Sequence, residues 1–170
     1  MNSLFPNHPA FVHFPLALLA AAFFFELLGL VFKKPAFHDI GRANLFLGTV
    51  AALVAVGTGL WGEGLLDPVP PKLEALVDQH KFLGMLTASG AVMLSMWRVS
   101  LRRSYDGVAR AAFVAALGGL AAVVLFTGHL GGRLVFDHGA AVTIGRRSFG
   151  SKGLPAESLP PTPAPAPTPK

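Results

Sequence analysis

Cysteine is absent from this 170-residue sequence. Its absence excludes disulfide bonds, thiolate metal sites and the C-x-x-C-H attachment of covalent haem, so any haem would have to be held non-covalently. Charged residues are also scarce, at 14% of the chain, whereas soluble domains carry roughly 25%. Together with 52% hydrophobic residues and a mean hydropathy of +0.55, this composition predicts a membrane protein.

The N-terminus lacks a basic segment, and no small-residue cleavage site follows the first apolar run. We therefore expect that run to be retained as a membrane span and not cleaved as a signal peptide. The net charge of +5 does not indicate a nucleic-acid partner, because the basic residues form short clusters at the ends of apolar runs. That pattern is typical of residues that set membrane orientation.

Four apolar runs approach the roughly 20 residues that a helix needs to cross a bilayer. They cover about residues 11–32, 43–61, 80–101 and 108–130. The connections between them are short, so neighbouring helices should be antiparallel. The sequence thus predicts an all-α fold, an integral membrane four-helix bundle.

The regions on either side of the predicted bundle have different compositions. We expect an outer N-terminal arm at 1–10, a transmembrane domain at 11–130, a glycine-rich irregular or hairpin segment at 131–150, and a proline-rich tail at 151–170. The tail holds seven prolines and should be disordered or strap-like.

The two halves of the predicted bundle repeat one order of residues. His13 opens the first run and Thr58-Gly59 ends the second, while His80 opens the third and Thr127-Gly128 ends the fourth. This order predicts two duplicated helical hairpins related by a pseudo-two-fold axis. His13 and His80 should then lie on diagonal helices at the same depth.

Lys and Arg are concentrated in the first and third predicted connections and the adjoining helix ends. The positive-inside rule therefore places these connections in the cytoplasm and both termini of this multi-pass chain outside. Arg133, Arg146 and Arg147 favour the opposite orientation.

Five of the six histidines fall on the outer side in this topology: His8, His13, His80, His129 and His138. Stripes of small residues run along the helix below several of them, as with Gly84 below His80, and such stripes mark close helix packing. We therefore expect His13, His80 and His129 to point into the bundle. The alternative is ordinary helix packing with the imidazoles bonded to carbonyls.

Imidazoles from diagonal helices suit a haem b held by two histidines, with Gly84 leaving room for the macrocycle. His13 with His80 is the favoured ligand pair. His129 is a replacement ligand or, with His8 or His138, part of a second haem site. A zinc or copper site at His13, His80 and His129 is the competing hypothesis. The absence of an H-E-x-x-H motif argues against a hydrolytic zinc enzyme.

Glu26 is the only acid deep within an apolar run. It follows His13 by thirteen positions and so should lie on the opposite helix face, towards a partner helix or a quinone. The alternative is a neutral carboxyl, or one that reaches towards Lys33.

Three motifs are distinctive in combination: His8-Pro-x-x-Val-His13-Phe-Pro, His80-Lys-x-Leu-Gly84, and Gly128-His129-Leu-Gly-Gly132 continuing to Asp137-His138-Gly139. Over about residues 6–145 the chain resembles a bacterial four-helix membrane family, domain of unknown function 2231. The resemblance implies an inner-membrane protein, often encoded with cytochrome-like or redox proteins. Ala140-Ala141 departs from the glycine expected there.

These features predict a b-type cytochrome-like electron-transfer subunit more than a stand-alone enzyme. It would bind one haem or two near the periplasmic side and pass electrons from quinol or another membrane subunit to a periplasmic protein such as a c-type cytochrome. The alternatives are a non-redox structural subunit of a membrane complex, and copper or zinc handling. The absence of methionine clusters near the histidines weighs against copper.

Overall fold

The computed structural model describes residues 8–63, 71–100 and 107–137, without the side chains of residues 62, 63 and 72. These ranges form five helices and no strand: α1 (His8–Phe11), α2 (His13–Phe32), α3 (Pro35–Glu63), α4 (Pro71–Ser100) and α5 (Gly107–Phe136). Helix α1 continues into α2, and these ranges thus contain four helical segments long and apolar enough to cross a membrane. The predicted all-α membrane bundle is confirmed.

The four long helices form a ring. Helix α2 packs against α3 and α5, and α4 packs against the same two helices. Helices α2 and α4 therefore lie on a diagonal, as predicted for the helices that carry His13 and His80. The centre of the ring is filled by aliphatic side chains and one aromatic ring: Leu19, Ala22, Leu45, Ala91, Leu94, Phe113, Val114, Leu117, Leu120 and Val124.

The helices extend beyond the apolar runs from which they were predicted. Helix α3 begins at Pro35 and α4 at Pro71, eight or nine residues before the predicted starts. Proline is favoured at the first helical position because its missing N–H has no helical partner there. Helix α5 continues to Phe136, so the predicted segment 131–150 begins as helix. The part of this segment after residue 137 and the predicted proline-rich tail lie outside the described residues.

The predicted outer arm also differs, because His8 to Ala10 belong to α1. His8 is helical although Pro9 follows it, and a proline disfavours helical backbone at the preceding residue. Helix α1 ends and α2 begins around Val12. Pro15 explains this break, since proline has no N–H to donate to the carbonyl of Phe11.

The turn between α2 and α3 sets the register of the first hairpin. Helix α2 ends at Phe32, the next residue Lys33 adopts the left-handed conformation with φ 54°, and α3 begins at Pro35. Residues equidistant from this two-residue turn face each other along the whole hairpin. The contacting pairs are Gly29 with His38, Gly41 with Glu26, Gly48 with Leu19, and Gly59 with His8.

One stripe of α2 faces the interior. Its buried residues are Pro15, Leu19, Ala22, Glu26 and Gly29, which alternate spacings of four and three. This spacing is the seam of a left-handed helical bundle. His8, seven positions before Pro15, continues the seam, whereas His13 lies off it. The seam thus determines which N-terminal histidine turns towards the other helices.

Candidate functional sites at the two ends of the bundle

Two half-buried histidines lie at one end of the bundle, each on the Thr-Gly segment of a neighbouring helix. The Nδ1 atom of His8 is 3.1 Å from the hydroxyl oxygen of Thr58 on α3. The Nδ1 atom of His80 is 3.1 Å from the main-chain oxygen of Thr127 on α5. We call these four residues the histidine end. The same kind of contact therefore recurs in the two halves of the chain.

The hydrogen bonds at the histidine end fix which ring nitrogen carries the proton. The carbonyl of Thr127 can only accept, so Nδ1–H of His80 donates to it. The hydroxyl of Thr58 donates its single proton to the carbonyl of Ala55 at 2.9 Å, so it accepts from Nδ1–H of His8. In the neutral rings, Nε2 is then the nitrogen with the lone pair. Metal-binding histidines commonly have this arrangement, with the other ring nitrogen bonded to the protein.

Glycines allow both imidazoles to approach the neighbouring helix closely. A Cβ atom added at Gly59 would lie 3.0 Å from Cε1 of His8, and one at Gly131 would lie 3.0 Å from Cε1 of His80. His8 and His80 are also near enough for charges on their rings to interact. One turn along α4 from His80, a Cβ atom at Gly84 would meet no atom within 4 Å. The histidine end therefore combines two anchored imidazoles with open space beside one of them.

The other predicted ligands are placed differently. His13 is exposed and its Nδ1–H donates to the carbonyl of Pro9 at 2.6 Å, one turn back on its own chain. His129 is exposed and stacks on Phe126 with ring centroids 6.4 Å apart. The expectation that His13 and His129 point into the bundle is wrong. His13 lies off the seam of α2, and His129 is two positions from the buried Thr127 of α5.

The described residues contain no group of three or more His, Cys, Asp or Glu side chains placed to hold a metal ion. The predicted three-histidine metal site at His13, His80 and His129 is therefore not assembled in that part of the chain. His138 lies outside the described residues.

The opposite end of the bundle contains a buried group of ionisable side chains. Glu26 accepts a hydrogen bond from Nδ1 of His38 at 2.5 Å and one from Nε of Arg98 at 3.4 Å. The exposed fractions of the three residues are 1%, 7% and 6%. Glu26 thus joins α2 to its neighbour α3 and to α4 across the diagonal. Buried charges are tolerated when they are paired in this way.

The location of Glu26 agrees with the predicted helix face but not with the predicted surroundings. It lies on the buried face of α2, away from the exposed His13, and contacts α3 and α4 of this chain. The contact with a quinone stays a prediction. His38 was the histidine that the sequence analysis did not assign to a site. The proline at position 35 was the available signal, because a helix starting there brings His38 opposite the end of α2.

Gly29 and Gly41 provide the space that the buried charges occupy. A Cβ atom at Gly29 would lie 2.5 Å from Cε1 of His38, and one at Gly41 would lie 2.7 Å from Cγ of Glu26. The imidazole cannot move aside without breaking its bond to Glu26. We therefore expect Gly29→Ala to lower the free energy of unfolding by about 1–3 kcal/mol, the usual cost of overpacking. Unfolding in mixed dodecyl maltoside and dodecyl sulfate micelles would measure this loss.

Gly119→Ala is the matched control, because Gly119 is also helical and a Cβ atom there would meet no atom within 4 Å. We expect this variant to stay within about 1 kcal/mol of the unmodified protein, the range of helix propensity. Equal losses in the two variants would contradict the steric explanation.

The bundle, its histidine end and its buried Glu26–His38–Arg98 group define an all-α integral membrane protein of four spans. The chain belongs to the family described as predicted membrane protein (DUF2231), whose family model matches residues 4–144. The family resemblance expected from the three histidine motifs is thereby confirmed. No curated protein and no solved structure matches the chain significantly.

Proposed function

We propose that the histidine end binds haem b through Nε2 of His8 and Nε2 of His80, and that the protein is a b-type cytochrome-like electron-transfer subunit. The observation that supports this most directly is the pair of half-buried imidazoles, near each other and each held through Nδ1–H by a neighbouring helix. His8 replaces His13 in the ligand pair favoured by the sequence, because His8 lies on the interior seam.

The donor set suits haem better than zinc. Two imidazoles would suffice to hold a haem iron, whereas zinc sites take three or four protein ligands. A haem held in this way would supply reversible one-electron exchange. The residues of this chain would hold and orient it. Thr58 and the carbonyl of Thr127 fix the ring planes, and Gly59 and Gly131 let the rings pack against α3 and α5.

The open space at Gly84 adds to the fit, because it lies one turn along α4 from His80. A side chain at this position would stand next to the imidazole, on the side where a planar ligand would need room. Gly84 therefore keeps the role in cofactor binding that the sequence suggested for it.

The distribution of basic residues supports the orientation that we propose. The clusters of Lys and Arg lie at the end opposite the histidines, and the positive-inside rule assigns that end to the cytoplasm. The histidine end and both termini would then face the periplasm in a bacterial inner membrane. We propose quinol or another membrane subunit as the electron donor and a periplasmic redox protein, such as a c-type cytochrome, as the acceptor.

The visible spectrum of the purified protein tests this proposal. Protein isolated from cells supplied with haem should show a Soret band and should give a pyridine haemochrome of the b type. A colourless protein would contradict haem binding and would favour a non-redox structural subunit of a membrane complex. Stoichiometric copper or zinc in place of haem, found by metal analysis of the same sample, would favour metal handling.

A further inference from the structure

A cavity opens at the end of the bundle opposite the histidines, next to the buried Glu26–His38–Arg98 group. Its volume is about 470 Å³, and its polar lining consists of Lys33, His38, Asp39, Arg98 and Arg110. We call this cavity the basic cavity. Its volume lies within the roughly 300–1,000 Å³ of common small-ligand pockets.

The lining of the basic cavity is predominantly cationic. Among its described lining residues, Lys33, Arg98 and Arg110 carry three permanent positive charges and Asp39 one negative charge. Glu26, which lies behind Arg98, offsets one of the three. The carboxylate of Asp39 is already paired with Arg42, 3.0 Å away. Low-dielectric walls concentrate the field of like charges in a cleft, so the interior of the cavity should attract anions.

Two long helices begin at the same cavity. Pro35, the first residue of α3, and Gly107, the first residue of α5, both belong to its wall. Neither helix has an acidic residue in its first turn to offset the positive end of the helix dipole. The helix starts thus add to the charge of the side chains and do not oppose it.

Membrane orientation explains why basic residues occur at this end, but it does not explain where Arg98 lies. An arginine that only marks the cytoplasmic side reaches out into the headgroup layer. Arg98 is instead 6% exposed, holds Glu26 and lines the cavity wall. A guanidinium held in place by a buried carboxylate is a preorganised donor for a second anion.

We propose that the basic cavity binds a phosphate group, either as free phosphate or on an anionic lipid headgroup. A phosphate offers several acceptor oxygens at once, and it can therefore engage a guanidinium and an ammonium from different helices. Lys33 at the end of α2, Arg98 at the end of α4 and Arg110 in α5 supply these donors from three sides. This site is separate from the histidine end and does not depend on haem binding.

Binding measurements on the full chain in dodecyl maltoside at low ionic strength test the proposal. Inorganic phosphate is one probe, and dioctanoyl phosphatidylglycerol, compared with dioctanoyl phosphatidylcholine, is the other. Lys33→Asn and Arg110→Gln should each weaken binding about tenfold, as expected for the loss of one charge-assisted hydrogen bond. Lys33→Asn should fold normally, because Lys33 is exposed and asparagine tolerates its left-handed conformation.

Arg133→Gln is the matched control, since it removes the same charge at the histidine end, where Arg133 contacts the exposed Asp137. This variant should bind as the unmodified protein does. Phosphate binding that Lys33→Asn and Arg110→Gln weaken would identify a free anion as ligand. Binding of phosphatidylglycerol alone, weakened by the same variants, would identify a lipid headgroup. Failure of both probes to bind, or an equal loss with Arg133→Gln, would overturn the proposal.

Discussion

Replacing Glu26 with glutamine should lower the free energy of unfolding by about 3–5 kcal/mol, the usual cost of removing one partner of a buried ion pair. Glutamine has nearly the same volume, so the packing against Gly41 is retained. The lost charge leaves the guanidinium of Arg98, which is 6% exposed, without the carboxylate that it holds at 3.4 Å. Unfolding in mixed detergent micelles, followed by circular dichroism, would measure the change.

Asp39→Asn is the control for Glu26→Gln. Asp39 also forms an ion pair, with Arg42, but its side chain is 62% exposed and that of Arg42 is 40% exposed. Exposed pairs contribute about 1 kcal/mol or less, so this variant should unfold almost as the unmodified protein does. Adding Arg98→Met to Glu26→Gln should recover part of the stability, because it removes the buried charge that has lost its carboxylate. Equal losses in Glu26→Gln and Asp39→Asn would show that burial does not strengthen the pair.

The apolar runs were sufficient to predict four spans and their antiparallel order, because hydrophobic length alone decides which segments cross a bilayer. They were not sufficient to predict the register of the first hairpin. The predicted connection 33–42 ended where hydrophobicity resumed, whereas α3 begins at Pro35 and its first turns are polar or only partly buried. A helix boundary is set by backbone hydrogen bonding and capping as well as by hydrophobicity.

That difference of eight residues hid the buried charges. With a two-residue turn at Lys33-Lys34, Gly29 faces His38 and Gly41 faces Glu26, and the glycines make room for the larger side chains. With a ten-residue connection, His38 belongs to a loop, and Glu26 has no partner to predict. The same register also brings His8 against Gly59, about 26 residues or 39 Å of helix beyond the turn at 1.5 Å per residue.

The histidine end could be predicted as a region but not residue by residue. For His80, the stripe of small residues on the same face of α4 correctly indicated close packing, since Ala88, Ala91 and Ser95 are buried. The same reasoning was wrong for His129, because the buried residues of α5 include Thr127 and Leu130, whereas Ala122 and Leu125, which share a stripe with His129, are exposed. In a helix rich in alanine and glycine, small residues occur on every face and do not by themselves mark the interior.

Replacing either His8 or His80 with alanine should abolish the α-band of the reduced, haem-loaded protein, whereas His13→Ala and His129→Ala should retain it. The reason is that His8 and His80 are half-buried and held by hydrogen bonds to Thr58 and Thr127, whereas His13 and His129 are exposed. Loss of one axial imidazole removes the two-histidine ligation on which that band depends. Difference spectra of the dithionite-reduced proteins, normalised to protein concentration, would measure the effect.

A milder variant separates the ligand role of His8 from a purely structural one. Thr58→Val removes the hydroxyl that accepts from Nδ1–H of His8 but leaves the imidazole in place. A residue that hydrogen-bonds to a metal ligand typically contributes about 10–100-fold to the affinity for the metal. We therefore expect Thr58→Val to bind haem more weakly by that factor and to keep a two-histidine spectrum. A full α-band in His8→Ala together with its loss in His13→Ala would instead restore His13 and His80 as the ligand pair. That result would require α2 to rotate about its axis, because His13 lies on the exposed face and donates to the carbonyl of Pro9.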